Sequence, residues 1–364
     1  MSSLYIGIMS GTSLDAIDLV LVCFDQPHPV LVSSISCPFP TDLRQQLSRL
    51  SQSGPDELEL MGLTEQQLAL AYASGVKQLL HKAGVAATAV VAIGCHGQTV
   101  RHRPYAAQPF TYQIGDMYRL AAESQIRVIA DFRRKDMAYG GQGAPLVPAF
   151  HKAVFADAAE YRAIVNIGGI ANVTLLPPHQ PVTGFDTGPG NGLMDTWIQQ
   201  QNLGLYDKDG QFAVTGMVQQ QLLTEMMADP YFQLQGPKST GREYFSSAWL
   251  AEKLKATQYK AADVQRTLTR FTAQSIQHAL RFEKLDKLFV CGGGAYNPLL
   301  MADLQQLFPA TQIGHTAALG VAADWVEAMA FAWLAYAYDE KITGNIPEVT
   351  GARKAVVLGA EFSI

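Results

Sequence analysis

Asp186 stands in the run Gly184-Phe185-Asp186-Thr187-Gly188-Pro189-Gly190-Asn191, where a strand gives way to glycines and a helix start. A carboxylate held at such a rigid, open position suits a general base, which must reach a reacting proton through a hydrogen bond. The helix N-terminus beyond it can face phosphate charge, and the plainer role for Asp186 is to cap that helix. A second candidate is Gly11-Thr12-Ser13-Leu14-Asp15. Backbone N–H groups of a tight glycine turn beside two hydroxyls make a cradle for phosphate oxygens. Asp15 and Asp18 can hold the waters around Mg²⁺, which prefers oxygen ligands and keeps several waters. The same residues also read as an ordinary hairpin turn.

Gly292-Gly293-Gly294-Ala295-Tyr296-Asn297-Pro298 follows a strand and opens a helix. Glycines without side chains let a flat ring approach the backbone, adenine or its ribose being natural occupants, with a structural turn as the alternative. Two polar clusters remain. His96-Gly97-Gln98-Thr99 closes a strand near His102, and Asp131-Phe132-Arg133 precedes Gly140-Gly141-Gln142-Gly143-Ala144-Pro145. Both can hydrogen-bond a hydroxylated, acidic substrate, with Arg available for a carboxylate; His96 equally fits a satisfied core histidine. Asp207-Lys208-Asp209-Gly210 lacks the later ligands of a calcium loop and reads as a turn. There is no G-x-x-x-x-G-K-[ST], no G-x-G-x-x-G and no G-x-S-x-G, which removes the P-loop, simple dinucleotide and serine-hydrolase readings.

These residues need elements to hold them. Leu4 to Ile8 reads as a strand, Ser10 to Ser13 as a turn, and Asp18 to Phe24 as a second strand. The pattern returns with Ala163 to Ile167, the turn Gly168-Gly169, and Asn172 to Leu176. Val90 to Ile93 runs into the His96 turn, and Leu288 to Cys291 into the Gly292 turn. Each half thus contains a glycine-turn hairpin and, later, a strand feeding a tight turn, which predicts two related α/β domains facing each other across a cleft. Thr64 to Ala83 and Ala262 to Glu283 carry apolar residues at helical spacing. Gly204 to Arg242 is rich in turns and reads as an excursion from the second domain. The last apolar run, Ala355 to Ala360, belongs to neither domain by pattern.

The 364 residues exceed one comfortable core, so length favours two domains. With 48% hydrophobic and 16% charged residues the chain is globular, and a net charge of −5 without a basic cluster argues against nucleic acid. No basic stretch precedes an apolar one at the N-terminus, so no signal peptide is read. Ala317 to Tyr338 is strongly apolar, yet carries Asp324 and Glu327 and reads as a buried helix, not a membrane span. Cys23, Cys37, Cys95 and Cys291 are far apart, consistent with small buried side chains in a reducing compartment.

Several stretches together resemble one family. They are Met9 to Asp15, Gly94 to His102, Asp131 to Pro148, Asn166 to Thr174, Phe185 to Asn191, Lys238 to Phe245 and Cys291 to Met301. The family is anhydro-N-acetylmuramic acid kinase, within the actin, heat-shock ATPase and sugar-kinase superfamily. The resemblance implies two actin-like (ribonuclease H-like) domains facing each other across an ATP-binding cleft, here set at residues 1–150 and 151–340, with residues 341–364 unassigned.

The same resemblance implies an activity and a role for each matching residue. The implied activity is an ATP- and Mg²⁺-dependent phosphotransfer that opens 1,6-anhydro-N-acetylmuramic acid and gives N-acetylmuramic acid 6-phosphate. In the family pattern Asp186 is the base for the attacking water. Gly11, Thr12, Ser13, Asp15, Ala16 and Asp18 meet ATP, with Asp15 and Asp18 near the metal through water. Gly168, Gly169, Gly292, Gly293, Gly294 and Asn297 meet ATP from the second domain. His96, Gln98, Thr99, Asp131, Arg133 and Glu327 lie on the sugar side. A homodimer that recycles peptidoglycan fragments is implied as well, while the net charge, the acidic residues in the apolar run and the cysteine spacing point to a cytoplasmic protein with no nucleic-acid or membrane partner. The family usually has Gly where Ala16 and Met117 stand, and Ala fits there if the backbone needs no positive φ. Two rivals remain: a conventional sugar kinase of the same fold acting on a free hydroxyl, and, from a different class, a regulatory ATPase. The latter predicts a further interaction domain, for which little chain remains after residue 340.

Overall fold

The computed structural model describes residues 3–12, 14–26, 28–234, 238–255 and 257–364. Thirteen strands are present among them. They are β1 (Leu4–Ser10), β2 (Ala16–Cys23), β3 (Val30–Pro38), β4 (Val90–Cys95), β5 (Gln98–Arg103), β6 (Phe110–Ile114), β7 (Val128–Ala130), β8 (Arg162–Ile167), β9 (Ile170–Leu176), β10 (Thr183–Pro189), β11 (Lys287–Cys291), β12 (Gln312–His315) and β13 (Ala360–Phe362). The chain divides into two compact units, Met1–Val154 with Trp325–Ile364, and Phe155–Asp324.

The first unit holds a six-stranded sheet in the order β13-β7-β4-β1-β2-β3. β1, β2 and β3 form an antiparallel meander, and β4 and β7 run parallel to β1. β1 is apolar at nearly every position because both of its faces are covered. On one face Ile6, Ile8, Leu19, Leu21 and Ile93 pack with Leu43 and Leu47 of the helix Thr41–Leu50 and with Leu68, Tyr72, Val76 and Leu79 of the helix Glu57–Ala83. The latter helix ends at Gly84, whose φ of 66° supplies a left-handed cap. It begins seven residues before the expected Thr64, since Glu57 to Met61 and Leu63 are sound helix formers that carry the helix across Gly62 even where little is buried.

The other face is occupied by the helix Val326–Asp339. A Cβ at Gly7 would strike the carbonyl of Ala328, and one at Gly94 the carbonyl of Phe331, so helix backbone lies directly on strand backbone. The sequence pattern keeps residues 151–340 together, but this contact groups Val326–Asp339 with the first sheet. The expected helix from Ala317 is shorter than its apolar run: Thr316–Leu319 and Ala323–Trp325 are separate single turns, broken at Gly320 with φ 85°. The final segment joins the first sheet as its edge strand, β13 pairing antiparallel with β7.

The second unit has a five-stranded sheet in the order β10-β9-β8-β11-β12. Again three strands form an antiparallel meander, and β11 and β12 run parallel to the first of them. The two sheets therefore share the ribonuclease H-like plan, and the pattern read twice in the sequence is one topology used twice. The glycine turns at residues 11 and 168 both join the first two strands of their meanders, and the turns at residues 96 and 292 both follow the first crossover strand. The helix Ala261–Ala279, expected from Ala262 to Glu283, covers β10 with a buried face that includes Leu268, Phe271, Thr272 and Ser275. The excursion after Gly204 is a series of short turns and the helix Gln220–Met227. Asp207 in it accepts hydrogen bonds from the backbone N–H groups of Phe212 and Ala213, at 2.8 and 2.9 Å, and so closes a turn. No described helix is long and apolar enough to cross a membrane.

Candidate active site

Asp186 lies within β10, opposite Asn172 of β9, where the register shifts before Gly188. The following helix, Gly192–Gln200, has Asn191 at its N-cap position, so Asp186 is not its cap. A bulged strand re-aims its side chains, and here it presents a carboxylate to the segment after Lys238. That segment clasps Asp186 along its backbone. The N–H of Asp186 donates to the carbonyl of Lys238 at 2.9 Å, and the N–H of Thr240 donates to Oδ2 of Asp186 at 2.9 Å. The Tyr231 hydroxyl donates to the Asp186 carbonyl at 2.6 Å. Among the described residues, Oδ1 accepts no hydrogen bond.

Burial pushes the Asp186 carboxyl up to about 6, against the lowering effect of the Thr240 N–H. A carboxylate with such a value is ionised at neutral pH yet more basic than an ordinary one, which fits proton abstraction. Beside it, Pro230, Tyr231, Leu234, Ser239, Thr240, Gly241, Glu243 and Tyr244 line a cavity of about 480 Å³. The Lys238 ammonium sits 4.3 Å over the Tyr231 ring, and burial lowers its pKa. Asp229 anchors the surrounding turn by accepting from Tyr231 N–H, the Tyr244 hydroxyl and Trp249 Nε1–H, at 3.0, 2.8 and 2.8 Å.

Three glycine-rich turns of this unit converge. The N–H groups of Gly190 and Gly192 both donate to the Gly169 carbonyl at 3.1 Å, and that of Asn191 donates to the Gly168 carbonyl at 2.7 Å. A Cβ at Gly190 would strike the Gly168 carbonyl, and Thr272 Oγ1 holds the Gly190 carbonyl from behind at 2.9 Å. Gly292 has φ 74° and leaves no room for a Cβ beside Asn166 and Ile167, so only glycine fits. Gly168, Gly169 and Gly292 to Gly294 are thus brought to one place. Asn297 commits its Oδ1 to the helix Pro298–Leu307, accepting from Leu299 and Leu300 N–H at 3.1 and 3.2 Å.

In the first unit, the turn after β1 closes with Leu14 N–H donating to the Gly11 carbonyl at 3.1 Å. The left-handed position is Leu14, with φ 56°, and neither Ala16 nor Met117 has positive φ, so both replacements of glycine sit without strain. Ser13 lies outside the described residues. Asp15 is exposed, and Asp18 accepts from Ser36 Oγ at 2.7 Å. No cluster of three or more His, Cys, Asp or Glu among the described residues is arranged to hold a metal ion.

Gln98 ties the phosphate-turn candidate to the polar cluster. Its Nε2 donates to the Gly11 carbonyl at 3.3 Å, while its buried Oε1 has no partner among the described residues. Arg133 donates through Nε and Nη2 to Nε2 of His96, at 3.1 and 2.9 Å, and through Nη1 to the Gly143 carbonyl at 2.9 Å. A guanidinium can only donate, so His96 Nε2 is an acceptor and the ring proton sits on Nδ1. Burial, then the Arg133 charge, hold His96 well below its usual pKa, with the Gly97 and Ser10 backbone acting in the opposite sense. Burial lowers Arg133 to about 10 even though Glu327 and Asp136 favour its charge.

Thr99 and Asp131 are engaged elsewhere. Thr99 Oγ1 accepts from Gln113 at 3.1 Å, and the Asp131 carboxylate is held by Arg134 through two 2.7 Å contacts. A group that sequence reasoning passed over is fully buried Asp136, which accepts from Gly143 N–H, Asn345 Nδ2 and Thr350 Oγ1 at 2.8, 2.7 and 2.7 Å. The glycine run from Gly140 to Gly143 was its only local signal. Thr240 was signalled only by lying in the Lys238 to Phe245 stretch.

Two ribonuclease H-like units, one presenting a raised-pKa carboxylate beside converging glycine turns, define the architecture of a nucleotide-dependent phosphotransferase. The family model for anhydro-N-acetylmuramic acid kinase matches residues 3–364, and the chain belongs to that family. A relative of that name from Vibrio vulnificus is 49% identical over 362 residues, covering 99% of this chain and 98% of its own. One from Shewanella amazonensis is 50% identical over 363 residues, again covering 99% and 98%. A solved structure, component A of (R)-2-hydroxyglutaryl-CoA dehydratase from Acidaminococcus fermentans, superposes with a TM-score of 0.50 at 13% identity, over 93% of this chain and 98% of that one. That likeness concerns the fold alone.

Proposed function

We propose that this chain is an ATP-dependent kinase that opens 1,6-anhydro-N-acetylmuramic acid and phosphorylates its O6. In that sugar O6 is bridged to the anomeric carbon and is no free nucleophile. Water attacks the anomeric carbon and loses a proton to Asp186; the C1–O6 bond breaks; O6 takes the γ-phosphoryl group as ADP leaves. The products are N-acetylmuramic acid 6-phosphate and ADP. The observation that carries the reading is the Asp186 carboxylate, raised to about 6 by burial, held at Oδ2 by Thr240 and without a partner at Oδ1 among the described residues. Family membership over residues 3–364 supplies the substrate.

The residues present fit ATP. The glycine turns at Gly168, Gly169 and Gly292 to Gly294 pack together, with room beside Gly168 and Gly293 where phosphate or adenosine can approach. Gly11 and Thr12 stand at the corresponding turn of the first unit, with Ser13 part of the same ATP assignment. Ala16 and Asn297 belong to the same ATP assignment. Asp15 and Asp18 offer hard oxygen donors suited to Mg²⁺ through water, and the metal would neutralise phosphate charge. On the sugar side, His96, Gln98, Thr99, Asp131, Arg133 and Glu327 are proposed contacts. Support is firmest for His96 and Gln98, whose Nδ1 and Oε1 are buried polar atoms without hydrogen bonds among the described residues. A cytoplasmic homodimer acting in peptidoglycan recycling follows from the same family reading.

The test is a reaction of the protein with Mg²⁺-ATP and the anhydro sugar in ¹⁸O-labelled water, read by mass spectrometry at early times. Label at the anomeric oxygen of a 6-phosphate, beyond that acquired by preformed product, is the expected result. Phosphorylation only of free N-acetylmuramic acid or another free sugar would replace the reading with a conventional sugar kinase. ATP turnover without a sugar product would replace it with a regulatory ATPase.

A further inference from the structure

Arg242 occupies an unusual place in the second unit. Its guanidinium packs directly on the backbone of Gly169, where a Cβ would stand 2.6 Å from Cζ. The Gly169 turn is itself locked, its carbonyl taking two hydrogen bonds from Gly190 and Gly192. Arg242 is also held from its own side. Two residues before it, Thr240 is bound to Asp186, and three residues after it, Phe245 is buried in the aromatic cluster of Tyr231, Phe232 and Trp249. Yet the Arg242 side chain is exposed and makes no hydrogen bond or ion pair among the described residues. A cation set in place without a counter-charge among the described residues, against a glycine turn and on the segment that holds the proposed base, is arranged for an anion supplied from outside. A guanidinium fork matches phosphate oxygens bidentately, and its value is greatest where charge builds up during transfer.

We propose that Arg242 is a catalytic residue that contacts the transferred phosphoryl group and stabilises its charge in the transition state. The proposal rests on the kinase reading for the identity of the anion. Its place is that of an arginine supplied within the same chain to a phosphoryl transfer site. Gly169 is then required to be glycine because any side chain there would displace the guanidinium.

The experiment compares wild type with Arg242→Ala, Arg242→Lys and Gly169→Ala. Calorimetry measures affinity for ADP alone and for ADP with aluminium fluoride, Mg²⁺ and the anhydro sugar, alongside steady-state kinetics. Arg242→Ala is expected to bind ADP within about threefold of wild type, to lose about 100-fold or more in affinity for the aluminium fluoride complex, and to lose kcat by about 10²- to 10⁴-fold. Gly169→Ala should reproduce the loss, Arg242→Lys should recover part of it, and added guanidinium should partly restore Arg242→Ala. Unchanged affinity for the fluoride complex would overturn the proposal. So would a loss confined to KM for the anhydro sugar and absent with an analogue lacking the lactyl carboxylate, since Arg242 would then bind that carboxylate. If wild type binds the fluoride complex but does not phosphorylate the anhydro sugar, the functional reading fails, while the binding comparison still decides the role of Arg242.

Discussion

Thr240 donates its backbone N–H to Oδ2 of Asp186 at 2.9 Å across 54 residues of sequence. The bond orients the carboxylate and moderates, without cancelling, the rise in its pKa caused by burial.

Asp186→Asn should therefore separate activity from stability. The amide keeps the shape but cannot take a proton, so sugar phosphorylation should fall by about 10³-fold or more. In wild type the base must be ionised, and kcat/KM should decline as pH falls through about 6. The folded state holds the Asp186 proton more tightly than the unfolded chain, whose value is 3.8. Its contribution to stability is thus full below 3.8 and lost as pH rises through about 6. At pH 8 the variant should gain about 1–3 kcal/mol in urea unfolding, a gain that disappears in acid. An unchanged acid limb and unchanged stability would remove Asp186 from the role of base.

Tyr231→Phe removes the hydroxyl that donates to the Asp186 carbonyl at 2.6 Å. The strand should loosen at its bulge at a cost of about 1 kcal/mol in stability. A fall in kcat of about 3- to 30-fold, larger than any change in KM for ATP, is expected from misplacement of the carboxylate. Equal changes in both constants would mean that Tyr231 serves only packing.

His96 is held as the Nδ1–H tautomer by the two donors of Arg133. Its ring resonances in ¹⁵N-edited NMR should stay constant between about pH 5 and pH 8, since burial and the neighbouring cation keep it neutral. Arg133→Met should raise the His96 pKa toward its ordinary range by removing a positive charge. A normal titration in wild type would contradict the tautomer assignment.

Asp136 joins the Gly143 turn to Asn345 and Thr350, and the Gly143 carbonyl in turn accepts from Arg133. Asp136→Ala should destabilise the first unit by about 3–5 kcal/mol, because three buried donors lose a charged acceptor. The milder Thr350→Val deletes one donor and should cost about 1–2 kcal/mol. Urea unfolding monitored by tryptophan fluorescence measures both, and a cost under about 1 kcal/mol for Asp136→Ala would show the network to be dispensable.

The sequence alone determined what is local. Alternating and continuous apolar runs marked β1, β4, β8 and β11, because strand burial leaves a period that needs no knowledge of partners. Glycine turns at residues 11, 168 and 292 were legible for the same reason, and the Asp186 motif identified a carboxylate at a strand. Tertiary structure decided what depends on distant partners. The helix Val326–Asp339 reads as buried in any context, but only the bare backbone of Gly7 and Gly94 assigns it to the first sheet. The Asp186 motif fits a helix cap until Asn191 is seen at the cap position and Thr240 and Tyr231 are seen closing on Asp186 instead. His96 is kept neutral by burial and then by the Arg133 charge, Arg133 also placing its proton on Nδ1, and Asp136 joins segments more than 200 residues apart. A side chain's type is written in the sequence; its proton affinity and its free lone pairs are set by burial and by neighbours that only folding brings within reach.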